Sequence, residues 1–346
     1  MRGLTRRHLL ATAAAAGVAA GCGSSSKPAA LDPRDWASVK AQFPLTEGVR
    51  HFDAFVLATH PGPVREAIER HRRGLDADPA GYLHAHEAEL DRRVLDAAAR
   101  YLDVPPSFAF TDSTTMGLGL VYGGIRVDGR PVATEHDFYS THESLRLRFG
   151  DFRRVRLYGD PSQATVSGMV EAARAGVSEG TGVLALTWVH SGTGVKVPVQ
   201  QITELRPFIP TFHPSRTGRQ ATDWNPGGFH TFEHRWALAE AFDVHHRIGR
   251  TNVTKRSQSL ATRLKEGLAD LRTVWLVTPM AEEVSAGIVC FDVDGLDPRS
   301  AVEQLRREHG VAAGVTPYAQ PYVRLGTGLW VDETDVDAAL DAIARL

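Results

Sequence analysis

The chain has 346 residues, 42% of them hydrophobic and 23% charged, with a formal net charge of -2. That composition is globular and large enough for one big α/β unit plus a smaller one. The near-neutral balance, with no basic block, excludes an electrostatic nucleic-acid surface.

Residues 1–30 read as an address rather than as part of the fold. Arg6-Arg7 precede an apolar, alanine-rich run from Leu9 to Ala20, and small residues then lead to Cys22. This pattern resembles a twin-arginine export signal. The run is too short for a permanent membrane span, so any membrane contact is expected only through the signal or a lipid on Cys22. "AAGC" is similar to a lipoprotein cleavage box, and "GSSSKPAA" would follow it as a flexible tether. An uncleaved N-terminal tail is the other reading. The second cysteine, Cys290, lies in the apolar strand pattern "AGIVCFDVDG", which leaves the mature body no internal disulfide.

Residues 31–250 are expected to form the large unit. A short extended segment, "HFDAFVLATH", leads through Pro-Gly-Pro into an amphipathic helix from about Pro63. A second helix follows, with Leu90, Val94, Leu95, Ala98, Tyr101 and Leu102 at helical spacing, and ends before Pro105-Pro106. Then come "SFAFTDSTTMGLGLVYGGI", "RPVATEHDFYSTHESLRLRF", "RRVRLYGDPSQATVSGMVEAARAG" and a unit starting at Thr181, each a strand, a polar turn and a helix. Strands alternating with helices predict crossovers and a mostly parallel sheet.

The fourth unit breaks the rhythm. Its helix starts at Pro198, yet Arg206-Pro207 closes it after about two turns, because proline excludes helical geometry from the residue before it. A segment rich in Pro and Gly follows, then an amphipathic helix in "TFEHRWALAEAFDVHHRIG" and a long one over roughly Arg250–Leu271. Residues 251–346 are expected to form a smaller α+β unit of short strands, a helix over Pro298–His309 and a closing helix from Thr334.

Candidate chemistry gathers at strand ends. Ser113, Thr114 and Thr115 open a helix, where free N–H groups and the helix dipole suit a phosphate, although the same hydroxyls could simply cap the helix. His136 lies just past the next strand, on the edge where ligands of open α/β sheets bind. The histidine pairs His84/His86, His230/His234 and His245-His246 lack the order of a zinc motif, so no metal site is expected and they read as capping or surface residues.

Taken with "HFDAFVLATHPGP", "TWVHSGTGVKVPV", "GGFHTFEHRWAL" and "YVRLGTGLW", these segments resemble the class V aminotransferase family of pyridoxal-phosphate enzymes. That family includes cysteine desulfurases and isopenicillin N epimerase-like proteins. The resemblance implies an aspartate aminotransferase-like fold: a mostly parallel α/β large domain and a small C-terminal α+β domain. It also implies pyridoxal 5′-phosphate (PLP) as cofactor, an amino acid substrate and a homodimer in intact relatives. Thr115, with Ser113 and Thr114, would hold the cofactor phosphate and His136 would stack on its ring. His190 and Ser191 would face the substrate, and Arg324 would clamp a carboxylate.

The family next implies an aspartate for the ring nitrogen and a histidine-lysine pair that supplies the Schiff-base lysine. Neither segment is present between Leu205 and Arg206, and at about 30 residues per crossover unit roughly two units are missing. The five lysines, Lys27, Lys40, Lys196, Lys255 and Lys265, all read as surface residues. The sequence therefore predicts an internally truncated sheet and an epimerase-, lyase- or aminotransferase-type protein without its catalytic lysine. The alternative is a non-catalytic exported lipoprotein that binds an anionic small molecule or a protein partner.

Overall fold

The computed structural model describes residues 30–55, 57–106, 108–203 and 231–346. Arg6-Arg7, Cys22, Lys27, the Leu205–Arg206 junction and His230 lie outside these residues. Among the described residues no helix is long and apolar enough to cross a membrane.

After a short helix α1 (Trp36–Lys40), strand β1 (Arg50–His51) leads to helices α2 (Gly62–Ala77) and α3 (Pro79–Leu102). Each starts with proline in its first turn, where the missing N–H would have had no helical partner. Next come α4 (Thr114–Gly124), β2 (Arg130–Thr134), α5 (Tyr139–Phe149), β3 (Arg153–Val155), α6 (Val166–Gly176), β4 (Thr181–Ala185) and the start of α7 (Val199–Thr203). The order of the sheet is β3-β2-β4, with both pairings parallel. Among the described residues it is three strands wide.

The apolar run Phe108–Phe110, expected as the first strand of this sheet, forms no strand. A strand needs a neighbour to take up its N–H and C=O groups, and local alternation does not supply one. Phe110 packs beside Val94, Ala97 and Phe242 instead.

Helix α8 (Phe232–Trp236) and helix α9 (Leu238–Ile248) occupy the stretch expected as one helix, and Gly249, at φ 91°, separates them from α10 (Arg250–Ala269). The remaining elements are β5 (Val274–Leu276), β6 (Ile288–Val293), α11 (Pro298–His309), β7 (Val311–Ala312), β8 (Gly314–Val315), β9 (Val323–Gly326) and α12 (Glu333–Ile343). An antiparallel sheet of order β5-β6-β9-β8 carries α10, α11 and α12. Its core joins Leu260, Leu264 and Leu268 of α10 to Val289 and Phe291 of β6, Leu305 of α11 and Val336 of α12.

The N-terminal strap enters this core. Strand β1 pairs parallel with β7, Phe52 is fully buried among the C-terminal residues, and its carbonyl accepts from the Gly326 N–H at 2.8 Å. Lys40 on α1 bonds Asp332 and Asp335 at the start of α12, at 2.6 and 2.5 Å.

Lys265 departs from the surface role expected of the lysines. Only 1% of it is exposed, and its Nζ donates to the carbonyls of Pro279 (3.0 Å) and Met280 (2.8 Å) and to Ser285 Oγ (2.8 Å). A buried ammonium needs such acceptors. These tie α10 to the loop beneath β6, a tertiary contact that the polar helix pattern could not reveal.

Candidate functional site

The loop after β4 is built around "HSGTG". His190 donates its backbone N–H to the Val195 carbonyl at 2.8 Å, and Gly194 N–H returns to the His190 carbonyl at 2.7 Å. Gly194 has φ 75°, and a Cβ there would fall 2.5 Å from the Ile288 carbonyl, so the tight turn against β6 requires glycine. At Gly192 a Cβ would lie 2.8 Å from the Tyr318 ring. The loop is thus closed from both sides, and its side chains are aimed by backbone.

Around it the structure brings together His136, His190, Ser191 and Arg324. The His136 and His190 ring centroids are 5.4 Å apart. Ser191 Oγ is 2.7 Å from the Tyr318 hydroxyl, and Arg324 Nη1 donates to the Ser191 carbonyl at 3.0 Å. Phe55, from the N-terminal strap, lies under the guanidinium with 3.7 Å from its ring centroid to Cζ, a cation–π contact. Tyr158, just past β3, stacks on His136 at 3.9 Å and 9° and places its hydroxyl 2.7 Å from His190 Nδ1.

Ser113–Thr115 open α4. Ser113 caps α4 by accepting from the Met116 N–H at 3.1 Å, and Thr114 and Thr115 are exposed. No hydrogen bond or ring contact joins these three to the histidine cluster among the described residues.

Burial sets the charge states. It lowers the pKa of His136 and, with His136 nearby adding to the effect, takes His190 down to about 3. Both rings are therefore neutral near pH 7. Burial likewise raises the phenols of Tyr158 and Tyr318 and the Cys290 thiol, the last to about 12, so none of the three ionises there. Arg324 stays cationic even though burial lowers its pKa, because arginine starts so high. Among the described residues, His136 Nε2, His190 Nε2, Arg324 Nε and Asp137 Oδ1 are buried without a hydrogen-bond partner. Three of these belong to the predicted site residues.

Sequence reasoning missed Tyr158, Tyr318 and Phe55. Tyr158 had a usable signal, since it follows β3 on the same sheet edge as His136. Tyr318 and Phe55 had none, because they arrive from distant loops.

The comparisons with known proteins bear on the whole arrangement. Residues 220–322 match the sequence model of the aminotransferase class-V family. Over that stretch the chain is similar to the class V aminotransferases. Solved structures agree on the fold. A variant of C-DES with glycine covalently linked to its PLP cofactor superposes with a TM-score of 0.75 at 17% identity, covering 89% of this chain and 99% of that one. The apo cysteine desulfurase of Thermococcus onnurineus NA1 gives 0.72 at 17% identity, covering 89% and 97%. The Escherichia coli cysteine desulfurase CsdA gives 0.65 at 16%, covering 92% and 98%. At such identities the structural likeness establishes the fold alone. No curated protein matches the chain by sequence.

Proposed function

We propose that this chain is an exported class V aminotransferase-fold protein that binds PLP without a covalent lysine and is severely impaired in turnover on its amino acid substrate. The observation that carries this reading is the placement of the lysines. Lys40 is held by Asp332 and Asp335, Lys196 Nζ donates to the Glu282 carbonyl at 2.7 Å, Lys255 is exposed on α10, and Lys265 is enclosed by its three acceptors. None of these amines enters the His136–His190–Arg324 cluster. The three-strand width of the parallel sheet among the described residues supports the absence of two units at Leu205–Arg206.

The donor set fits the cofactor in its non-covalent half. The exposed start of α4 offers Thr115 and the Ser113 and Thr114 backbone to a phosphate. His136 has one face covered by Tyr158 and is half-buried, so a flat ring would take its other face. PLP, where bound, supplies an electron sink for cleavage at the α- or β-carbon of an amino acid. Arg324, cationic and with Nε unpaired, would hold the substrate carboxylate. His190 is too acidic as an imidazolium to donate a proton near pH 7, so with Ser191 it would orient substrate by hydrogen bonding. The covalent half has no counterpart, and a well-placed intramolecular amine carries an effective molarity of about 10⁵ to 10⁸ M. Its loss accounts for the impairment. In intact relatives the reaction would be epimerisation, elimination or amino transfer in a homodimer.

Mixing the protein with PLP, reducing with borohydride and mapping peptides tests this reading. We expect no stoichiometric lysine adduct. An adduct on one lysine, Lys196 above all, would overturn it. Export rests on Arg6-Arg7 and anchoring on Cys22. Replacing both arginines with lysine should trap the protein in the cytoplasm, and Cys22→Ser should release it from the membrane; membrane association that survives Cys22→Ser rejects the lipid anchor.

A further inference from the structure

Away from the histidine cluster, the chain is docked into the fold at Leu31, which is buried beside Val39, Val244 and Ile248 and whose carbonyl accepts from Arg247 Nη2 at 2.9 Å. Just past it, the start of α1 faces the first half of α10 across an open groove of about 430 Å³. Helix α10 lines it with Asn252, Lys255, Arg256 and Ser259, spaced i, i+3, i+4 and i+7 and so sharing one face. Arg34 and Trp36 line the other wall. Among the described residues no acidic side chain lines the groove, since Asp32 and Asp35 turn to the N–H groups of Arg34 and Ala37 at 3.0 and 2.9 Å. Arg256 is held by both carboxylate oxygens of Glu333 and lies 5.5 Å from the Trp36 ring centroid, so it is fixed in place with its charge balanced. Arg34 and Lys255 are exposed, and among the described residues neither side chain has an ion-pair partner.

We propose that this groove binds the anionic headgroup of a membrane phospholipid, with Arg34 and Lys255 taking the phosphate, and so turns this edge of the protein toward the bilayer. The choice of a lipid over a soluble anion rests on the anchor proposed at Cys22. Nine peptide links separate Cys22 from Leu31, and a chain extends by at most about 3.3–3.6 Å per residue, so an acylated Cys22 would hold Leu31 within about 30 Å of the membrane. Arg34 follows three residues later. A groove open to solvent admits a headgroup still attached to its acyl chains, and tryptophan, here Trp36, is a side chain that settles at membrane–water interfaces. Two unpaired cations hold a bilayer weakly, so the contact orients an anchored protein and does not replace the anchor.

Co-sedimentation of the full chain carrying Cys22→Ser tests the groove apart from the anchor. Vesicles of phosphatidylcholine alone are compared with an equimolar mixture of phosphatidylcholine and phosphatidylglycerol at low salt, every variant in the same background so that the N-terminal segment contributes equally. The expected result is a preference for the anionic vesicles that Arg34→Ala and Lys255→Ala each weaken about 5-fold, the equivalent of about 1 kcal/mol per cation. Arg299→Ala, which removes an exposed arginine of α11 outside the groove, should leave it unchanged. Salt at about 0.5 M should erase the preference. Binding that ignores Arg34 and Lys255, or that falls equally with Arg299→Ala, overturns the proposal. Calorimetry with inorganic phosphate separates the two sources of the anion: saturable phosphate binding that Lys255→Ala abolishes, without a preference for anionic vesicles, would make this a soluble-anion site and overturn the lipid assignment. A native Cys22 found without lipid would reject the anchor alone, because the vesicle measurement does not use it.

Discussion

His190 couples the candidate site to stability through a single proton. Its folded pKa lies near about 3, below the ordinary histidine value, so the unfolded chain takes the proton first. Its contribution is intact above about pH 6.5 and is lost as pH falls through the interval between the two values. The expected loss is about 2–3 kcal/mol by about pH 4.5. Urea titrations at a series of pH values should show stability falling with acid over that window, with the slope reduced by about one proton in His190→Gln. An unchanged slope would mean that His190 titrates normally and is less enclosed than its 1% exposure implies. At this scale the sequence revealed the residue types and their strand-end positions. It could not reveal that Tyr158 closes over His136, or that Lys265 is caged, because both follow from contacts between segments far apart in the chain.

Among the elements, the junction of α11 with β7 decides how the N-terminus is held. Gly310 ends α11 in the left-handed region at φ 63°, and its carbonyl accepts from the Arg50 N–H at 2.8 Å. A Cβ there would fall 2.4 Å from the Gly48 carbonyl oxygen, which is backbone and cannot swing away. Gly310→Ala should therefore destabilise by more than about 1 kcal/mol and loosen the β1–β7 pairing. Hydrogen exchange at the Arg50 and Phe52 amides should quicken before the rest of the C-terminal core responds; unaltered protection would mean that the strap tolerates the side chain. The helices were legible because their signals are local: proline in the first turns of α2, α3 and α11, and an aspartate cap for α12. The run Phe108–Phe110 alternates like a strand yet forms none, because β propensity depends on tertiary context more than on local pattern.

At the scale of the molecule, the three-stranded parallel sheet and the four-stranded antiparallel sheet differ in how well they are enclosed. Strand β6 lies between β5 and β9 and is mostly buried, whereas among the described residues β4 lies at one side of the three-stranded order and is mostly half-buried, with Trp188 exposed just beyond it. An edge with fewer apolar contacts opens at lower free energy. Amides of Thr181–Ala185 should exchange faster than those of Ile288–Val293, which should exchange only on global unfolding. Equal protection in a monomer would show that the parallel sheet is as well supported as the C-terminal one.

The sequence by itself determined the crossover pattern, the C-terminal α+β texture, the scarcity of lysine and the strand-end positions of Ser113–Thr115 and His136, whereas His190, Ser191 and Arg324 came from the family resemblance. The former follow from periodicity, turn chemistry and side-chain type, which act over a few residues at a time. Only the tertiary structure decided that His136, His190, Ser191 and Arg324 meet. It also decided that Phe55 and Tyr318 complete the cluster and that burial keeps its histidines neutral. Those outcomes depend on which distant segments pack together and on the solvent they exclude, and neither is written in local sequence.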